Sequence, residues 1–136
     1  MSFVRVVNES RQKVLGGRIR LVHSLRARMR GFLFRRAPRA GEGLFLAPCR
    51  GVHTYWMRFP LDVILIDETG NVVAAHAGLR PGTRTPIYRA ARFALELPAG
   101  SIEATDTMVG DRLSWKPVVE VQSSPPPADG ASSARS

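Results

Sequence analysis

Short apolar runs separated by turn residues recur along this chain. Residues 3–7 form a β-prone run, and in residues 14–22 apolar side chains alternate with arginines. A period of two is typical of a strand with one buried and one wet face. Gly16 and Gly17 lie inside the second run and predict a bulge or a sharp bend.

The middle of the chain predicts further strands in close succession. They cover residues 43–47, 51–57, 61–66, 72–79 and 92–97, and a closing strand after residue 111 extends towards Val121. A turn at 67–71 joins two of them, so 61–79 is predicted to be a β-hairpin. In the strand at 92–97, Phe93, Leu95 and Leu97 share one face, and Ala94 and Glu96 share the other. A turn at 110–111 precedes the closing strand.

Helical signals are brief. Ser24 is a candidate N-cap, and apolar residues at helical spacing after it predict a short helix at Leu25–Arg30. A second helical turn is predicted after Pro98, capped by Ser101. The prolines and glycine within 79–88 predict a surface loop.

These elements predict a mainly β fold. Seven or so short strands with one or two short helices indicate a small single-domain β-barrel, a form that also removes exposed sheet edges. We assign residues 1–122 to this domain. Residues 123–136 are rich in Ser, Pro and Ala and are predicted to be a disordered tail, because they cannot bury enough apolar surface to offset their ordering entropy.

Composition is consistent with one packed domain. The chain has 136 residues, of which 44% are hydrophobic. No apolar stretch approaches the roughly 20 residues that span a bilayer, and the first residues lack a secretory signal. Cys49 is the only cysteine, so an intrachain disulfide and a cysteine-cluster zinc site are excluded. We therefore expect a cytoplasmic protein.

The chain is strongly basic, with a net charge of +9. Residues 11–50 contain eleven Arg or Lys and a single acid, Glu42. Such a face can attract nucleic acid, anionic lipid or acidic proteins. The alternative is a solvated surface, which we favour because no nucleic-acid motif accompanies the charge.

A series of short motifs resembles a known family. They are Met29-Arg-Gly-Phe-Leu-Phe34, His53-Thr-Tyr-Trp-Met57, Pro60-Leu-Asp62, Asp67, Leu95-Glu-Leu97, Ala99-Gly100 and Gly110-Asp111. In this order they are similar to the bacterial and archaeal family called domain of unknown function 192, and the resemblance spans residues 24–115. It implies a compact, barrel-like domain, and it implies no established activity, cofactor or partner.

Two aspartates lie at the two ends of the predicted strand at 61–66, Asp62 as its second residue and Asp67 just after it. Asp62 and Asp67 are five residues apart, so an ideal strand directs them to opposite faces and does not make them a carboxylate pair. Asp62 either accepts hydrogen bonds from backbone N–H groups or an arginine such as Arg58, or anchors a ligand. We favour the structural role.

Glu96 is the charged member of an apolar strand. If its face is solvated it is unremarkable, whereas if that face is buried its pKa is raised and it becomes the best general-base candidate. Cys49 and His53 lie four residues apart, but Pro48 makes a shared helical face improbable, so a buried inert thiol is favoured. His53 and His76 could meet across a ladder, but their spacing matches no metal motif.

The leading functional hypothesis is a ligand- or protein-binding module without catalysis. Within 53–57, alternation places His53, Tyr55 and Met57 on one side and Trp56 on the other. The candidate binding residues are His53, Tyr55, Met57, Arg58, Asp62 and Glu96. We predict no cofactor or metal, and we leave the identity of a small-molecule or protein partner open.

Two alternatives belong to other functional classes. The arginines between Arg18 and Arg39 could bind nucleic acid, with an affinity that falls steeply as salt rises. Alternatively, Glu96, Asp62 or His53 could serve a hydrolase-like or metal-dependent enzyme.

Overall fold

The mainly β fold predicted from the sequence is confirmed. A computed structural model describes residues 2–23, 36–55 and 57–119. In chain order its elements are β1 (Ser2–Asn8), β2 (Lys13–His23), β3 (Glu42–Ala47), β4 (Leu61–Ile66), β5 (Val72–Leu79), β6 (Phe93–Pro98), α1 (Ser101–Thr105) and β7 (Leu113–Pro117). The strands form one small domain built on a curled sheet.

The seven strands form a single sheet in the order β5-β4-β6-β3-β2-β1-β7. Its pairs are antiparallel except β2 with β3, which run parallel. The predicted 61–79 hairpin is the β4–β5 pair. The predicted irregularity at Gly16 is also confirmed, because the β1–β2 register shifts on both sides of the Val6–Gly16 pair.

The curled sheet forms a half-barrel whose two edge strands are joined at one end. The Val72 N–H donates to the Asp111 carbonyl (2.8 Å), and the Leu113 N–H donates to the Gly70 carbonyl (2.7 Å). Gly70 has a φ of 97°, and a Cβ at that position would collide with the Leu113 carbonyl oxygen. Glycine is therefore required where the two edges meet.

The sheet buries apolar side chains on both faces. The inner cluster, inside the half-barrel, comprises Val4, Val6, Leu15, Ile19, Phe45, Ile64, Ile66, Val72, Leu95, Leu97 and Leu113. The outer cluster comprises Val22, Leu44, Leu46, Cys49, Val52, Leu61, Val63, Leu65, Ala74, Ala91 and Ala94. All six residues of β4 are buried, which is why this strand has no polar alternation.

Two local predictions need correction. Within the predicted strand 51–57, the described residues 51–55 and 57 do not form a strand, because the backbone hydrogen bonds of 52 and 54 go to another loop at irregular intervals. The helical turn after Pro98 is confirmed as α1, but its N-cap is Gly100 and the Ser101 hydroxyl instead donates to the Pro98 carbonyl. The predicted helix at Leu25–Arg30 and the tail at 123–136 lie outside the described residues.

α1 is the one helix in the part of the chain that the structure describes. No helix there is long and apolar enough to cross a membrane.

A polar network stabilises the end at which the edges meet. Asp111 is buried, and its Oδ2 accepts hydrogen bonds from the Asn8 amide (3.0 Å), the Arg11 guanidinium (3.0 Å) and the Met108 N–H (2.9 Å). Desolvation alone would raise the pKa of Asp111, but the hydrogen bonds from Arg11, Asn8 and Met108 outweigh it and lower the pKa to about 2. The ionised carboxylate thus stabilises the fold.

We expect acid to weaken the domain through Asp111. Its pKa is depressed in the folded state, so its contribution is present above the unfolded value near 4 and is lost as pH falls towards 2. Because the Arg11 side chain is 37% exposed, solvent screening limits the contribution to about 1–2 kcal/mol. Urea unfolding of wild-type and Asp111→Asn protein should differ by this amount at neutral pH and converge near pH 2. A difference that persists at low pH would contradict this assignment.

Candidate functional site

Two loops pair over the outer face of the sheet. We call residues 48–55 and 57–60 together with 80–92 the loop ribbon. Backbone N–H groups of Cys49, Thr54 and Tyr88 donate to the carbonyls of Arg92, Thr83 and Arg50 at 2.8–2.9 Å. The ribbon therefore runs antiparallel without becoming a regular ladder.

Thr54 links the two loops of the ribbon. Its side chain is buried, and its hydroxyl donates towards the Arg80 carbonyl while accepting from the Thr83 N–H at 3.0 Å. One hydroxyl can both donate and accept in this way. The backbone of 80–83 is thereby fixed against the segment that contains the candidate residues 53–58.

The ribbon packs on the outer cluster. Cys49, Val52 and Ala91 contribute buried side chains to the cluster, and Met57 and Phe59 are partly buried against it. Met57 thus faces the sheet, as a wall of an outer-face site requires. Trp56 lies outside the described residues.

Alternation predicted that Met57 shares a side with His53 and Tyr55, but Met57 packs on the outer cluster, whereas His53 and Tyr55 contact each other. Their rings stack with centroids 4.6 Å apart and planes 20° from parallel. His53 also forms a single β-bridge with Arg84, and Tyr55 is 38% exposed. Arg58 is exposed and, within the described part of the chain, forms no ion pair with Asp62.

Asp62 lies on the inner face, where it has a structural role. It is fully buried, and its Oδ1 accepts from the Gly78 N–H (2.8 Å) while Oδ2 accepts from the Ile102 N–H (2.7 Å). It thereby connects β4 to β5 and supplies an acceptor for the first turn of α1, whose N-cap makes no side-chain hydrogen bond.

Glu96 lies on the opposite, outer face. Its cross-strand neighbours are Leu44 on β3 and Val63 on β4, both members of the outer cluster. The residue is 8% exposed, and burial raises the pKa of Glu96 to about 7. None of the described residues donates a hydrogen bond to its carboxyl group. A carboxyl group on a buried apolar face is costly unless it is hydrogen-bonded, which makes Glu96 the unusual residue of this face.

His76 lies on the same row of the sheet as Glu96. It is the cross-strand partner of Val63, which in turn is paired with Glu96. The His76 Nε2 is 2.9 Å from the Tyr88 hydroxyl, so the ribbon and β5 are linked by a polar contact. His76 therefore contacts the ribbon through Tyr88, whereas His53 bridges to Arg84.

The structure thus separates the predicted site residues into two groups. Asp62 is enclosed between β5 and α1 on the inner face, whereas Glu96 and Met57 belong to the outer face under the ribbon. Asp62 and Glu96 cannot act together on one ligand, since the sheet lies between them. The inert role predicted for Cys49 fits its surroundings, because the buried thiol donates to the Gly51 carbonyl at 3.1 Å.

No group of three or more His, Cys, Asp or Glu within residues 2–23, 36–55 and 57–119 is arranged to hold a metal ion.

The arginines assigned to nucleic acid in the N-terminal half are partly engaged elsewhere. The Arg18 guanidinium lies 3.9 Å from the centroid of the Phe3 ring, and Arg36 is paired with Glu42 at 3.1 Å. The arginines between 24 and 35 lie outside the described residues.

Sequence reasoning named Arg58 as a candidate and counted Arg50 in the basic stretch 11–50, but it missed that the arginines of the ribbon form one group. Six occur there, and no acidic residue does: Arg50, Arg58, Arg80, Arg84, Arg89 and Arg92. All six are exposed. The available signal was the absence of Asp and Glu from two separate loops, but only the fold shows that these loops are adjacent.

Comparison with known proteins identifies the relationship. The model of the DUF192 family, described as "Uncharacterized ACR", matches residues 6–115. A UPF0127 protein of Pyrococcus horikoshii is 31% identical over 116 residues, which cover 81% of this chain and 97% of the relative.

Two solved structures have a similar fold. A protein of unknown function from Novosphingobium aromaticivorans has a TM-score of 0.69 at 23% identity, covering 83% of this chain and 84% of its own. A chain from Sinorhizobium meliloti, named as a candidate transcription regulator, has a TM-score of 0.63 at 25% identity, covering 84% and 92%. With a family match over most of its length, this chain belongs to the uncharacterised DUF192 family.

Proposed function

We propose that this protein is a binding module without catalysis, and that its ligand site lies on the outer face of the sheet at Glu96, beneath the loop ribbon. The carrying observation is the Glu96 carboxyl group, which is 8% exposed and receives no hydrogen bond from the described residues. A ligand that donates to this carboxyl would remove the unfavourable burial. Perturbed, buried acids of this kind concentrate at functional sites.

The surroundings of Glu96 suggest the shape of the ligand. Its neighbours Leu44 and Val63 are apolar, and Met57 and Phe59 pack on the same outer cluster. Methionine adapts its shape easily to a bound group. We therefore propose a small molecule, or a segment of a protein partner, that carries a protonated amine or another strong donor on an apolar body.

The other candidate residues have supporting roles in this proposal. Met57 contributes a wall, while His53, Tyr55 and Arg58 belong to the ribbon that covers the site. Asp62 maintains the framework from the opposite face. The position of Asp62 supports binding over catalysis. Because Asp62 is on the other face, it cannot act as the acid while Glu96 acts as the base, or the reverse. We place the module in the cytoplasm, where a free thiol such as Cys49 remains reduced.

The proposal predicts a response to amine probes that depends on Glu96. Near pH 8 most Glu96 carboxyl groups are ionised in the folded protein, since their pKa is raised only to about 7. We expect n-butylamine to raise the melting temperature of wild-type protein, and butyramide to have a smaller effect. Glu96→Gln should abolish the response to the amine, whereas Glu68→Gln, at an exposed turn position, should preserve it. Differential scanning fluorimetry measures both.

Butyrate provides the matched ligand control, since it has the same apolar body and the opposite charge. Equal responses of wild-type and Glu96→Gln protein to n-butylamine would show that Glu96 is not the binding residue and would contradict the proposal.

A further inference from the structure

We propose that the outward side of the loop ribbon binds single-stranded nucleic acid. This surface differs from the ligand site proposed at Glu96, which lies between the ribbon and the sheet, and it also differs from the arginines between Arg18 and Arg39 that the sequence offered for nucleic acid. The proposal stands independently of the ligand site.

The loop ribbon is strongly basic. The ribbon carries six exposed arginines and His53 but no Asp or Glu. No acid within the ribbon can pair with these guanidinium groups, in contrast to Arg11 and Arg36, which are paired with Asp111 and Glu42. Clustered arginines without acids attract phosphate groups and release their counterions.

The hydrogen bonds of the ribbon spread these charges along a line. The Arg50 carbonyl accepts from Tyr88, which is adjacent in sequence to Arg89, and the Arg92 carbonyl accepts from Cys49. Further along, Arg84 is bridged to His53. The paired residues 49–54 span at most about 18 Å. A backbone of several nucleotides can therefore follow the arginines.

The stack of Tyr55 on His53 favours the binding of single strands over the binding of a membrane surface. The exposed Tyr55 ring stacks on His53 at 4.6 Å, and the His53 backbone is bridged to Arg84 in the middle of the ribbon. Unpaired bases stack on exposed aromatic rings beside a cationic groove, whatever their sequence. Because Thr54 fixes the two loops together, this platform is present before the strand binds.

Fluorescence anisotropy with fluorescein-labelled oligo(dT) and oligo(U) tests the proposal. We expect the logarithm of affinity to fall with the logarithm of salt concentration, with a slope of about −0.7 for each phosphate contact. Tyr55→Ala should weaken binding about 5- to 150-fold, the range that corresponds to loss of one stacked base, while Tyr55→Phe should bind like wild type.

A charge-matched pair of triple variants separates a defined surface from general attraction. Arg50→Gln/Arg84→Gln/Arg89→Gln removes three ribbon charges and should reduce the salt slope by about 2. Arg5→Gln/Arg112→Gln/Lys116→Gln removes three exposed charges from the β1–β7 side and should leave the slope nearly unchanged. Circular dichroism melts confirm that each variant is folded.

Three outcomes would overturn the proposal. The first is an absence of oligonucleotide binding by wild-type protein at 50 mM salt. The second is equal weakening by the two triple variants, which would indicate unspecific attraction by net charge. The third is a combination of two results: Tyr55→Ala protein binds oligonucleotide like wild type, and phosphatidylserine vesicles displace the oligonucleotide. This combination would make the ribbon a membrane contact.

Discussion

Replacing Asp62 with alanine is expected to lower the free energy of unfolding by about 4 kcal/mol, because two partly buried N–H groups lose their hydrogen bonds to the buried carboxylate, at about 1–3 kcal/mol each. These groups belong to Gly78 and Ile102, at 2.8 and 2.7 Å from the carboxylate oxygens. For a domain of this size the melting temperature should fall by more than about 10 °C. Urea unfolding and calorimetry measure the two quantities.

Two variants control for the chemistry at Asp62. Asp62→Asn keeps one acceptor oxygen but directs an NH₂ group at the other N–H, so its loss should be smaller than that of alanine. Glu68→Ala lies at an exposed turn position and should change stability by less than about 0.5 kcal/mol. If Asp62→Ala is as stable as Glu68→Ala, the carboxylate does not hold β4 to α1.

The predictable part of the fold came from local patterns. The alternation at 92–97 correctly assigned the two faces of β6, with Leu95 and Leu97 in the inner cluster and Ala94 in the outer one. The turn at 67–71 is likewise local, since the Asp67 carboxylate accepts from the Thr69 and Asn71 N–H groups at 2.9 Å. Period, turn chemistry and capping signals depend on residues a few positions apart, so the sequence displays them directly.

The unpredictable part depends on contacts between distant residues. The partners of Asp62 lie 16 and 40 positions away, and Val52 pairs with Thr85 across 33 positions. The hydrophobic periodicity of a single segment carries no information about contacts with such distant residues. The segment 51–57 has the composition of a strand, yet the backbones of Val52 and Thr54 bond to a proline-containing loop that cannot provide a continuous ladder.

The burial of Glu96 also could not be predicted from local patterns. Alternation required that Ala94 and Glu96 share a face, but it could not decide whether that face meets water. The ribbon packs on the outer face, which an isolated half-barrel would expose, and Glu96 on that face is 8% exposed. The ribbon also brings together arginines from two loops, and their common surface became visible only when these loops were paired.

Replacing Glu96 with glutamine is expected to stabilise the protein, and to do so only at neutral and alkaline pH. Burial raises the pKa of Glu96 from its usual 4.5 to about 7. The folded state therefore binds more protons than the unfolded state between these values, so wild-type stability falls as pH rises through this window and levels off above pH 7. The full difference corresponds to about 3 kcal/mol.

Glutamine carries no charge at any pH, so the stabilisation by Glu96→Gln should be near zero at pH 4.5 and approach its full value by pH 8. Urea unfolding of both proteins across this range measures it, with Glu68→Gln as the exposed control that should show no such rise. A stabilisation that is equal at all pH values would mean that Glu96 does not change its charge in the folded protein. The stability advantage of Glu96→Gln over wild type should depend on pH and should disappear when n-butylamine occupies the wild-type site. This result would show that the same burial that destabilises the protein creates its affinity for a cation.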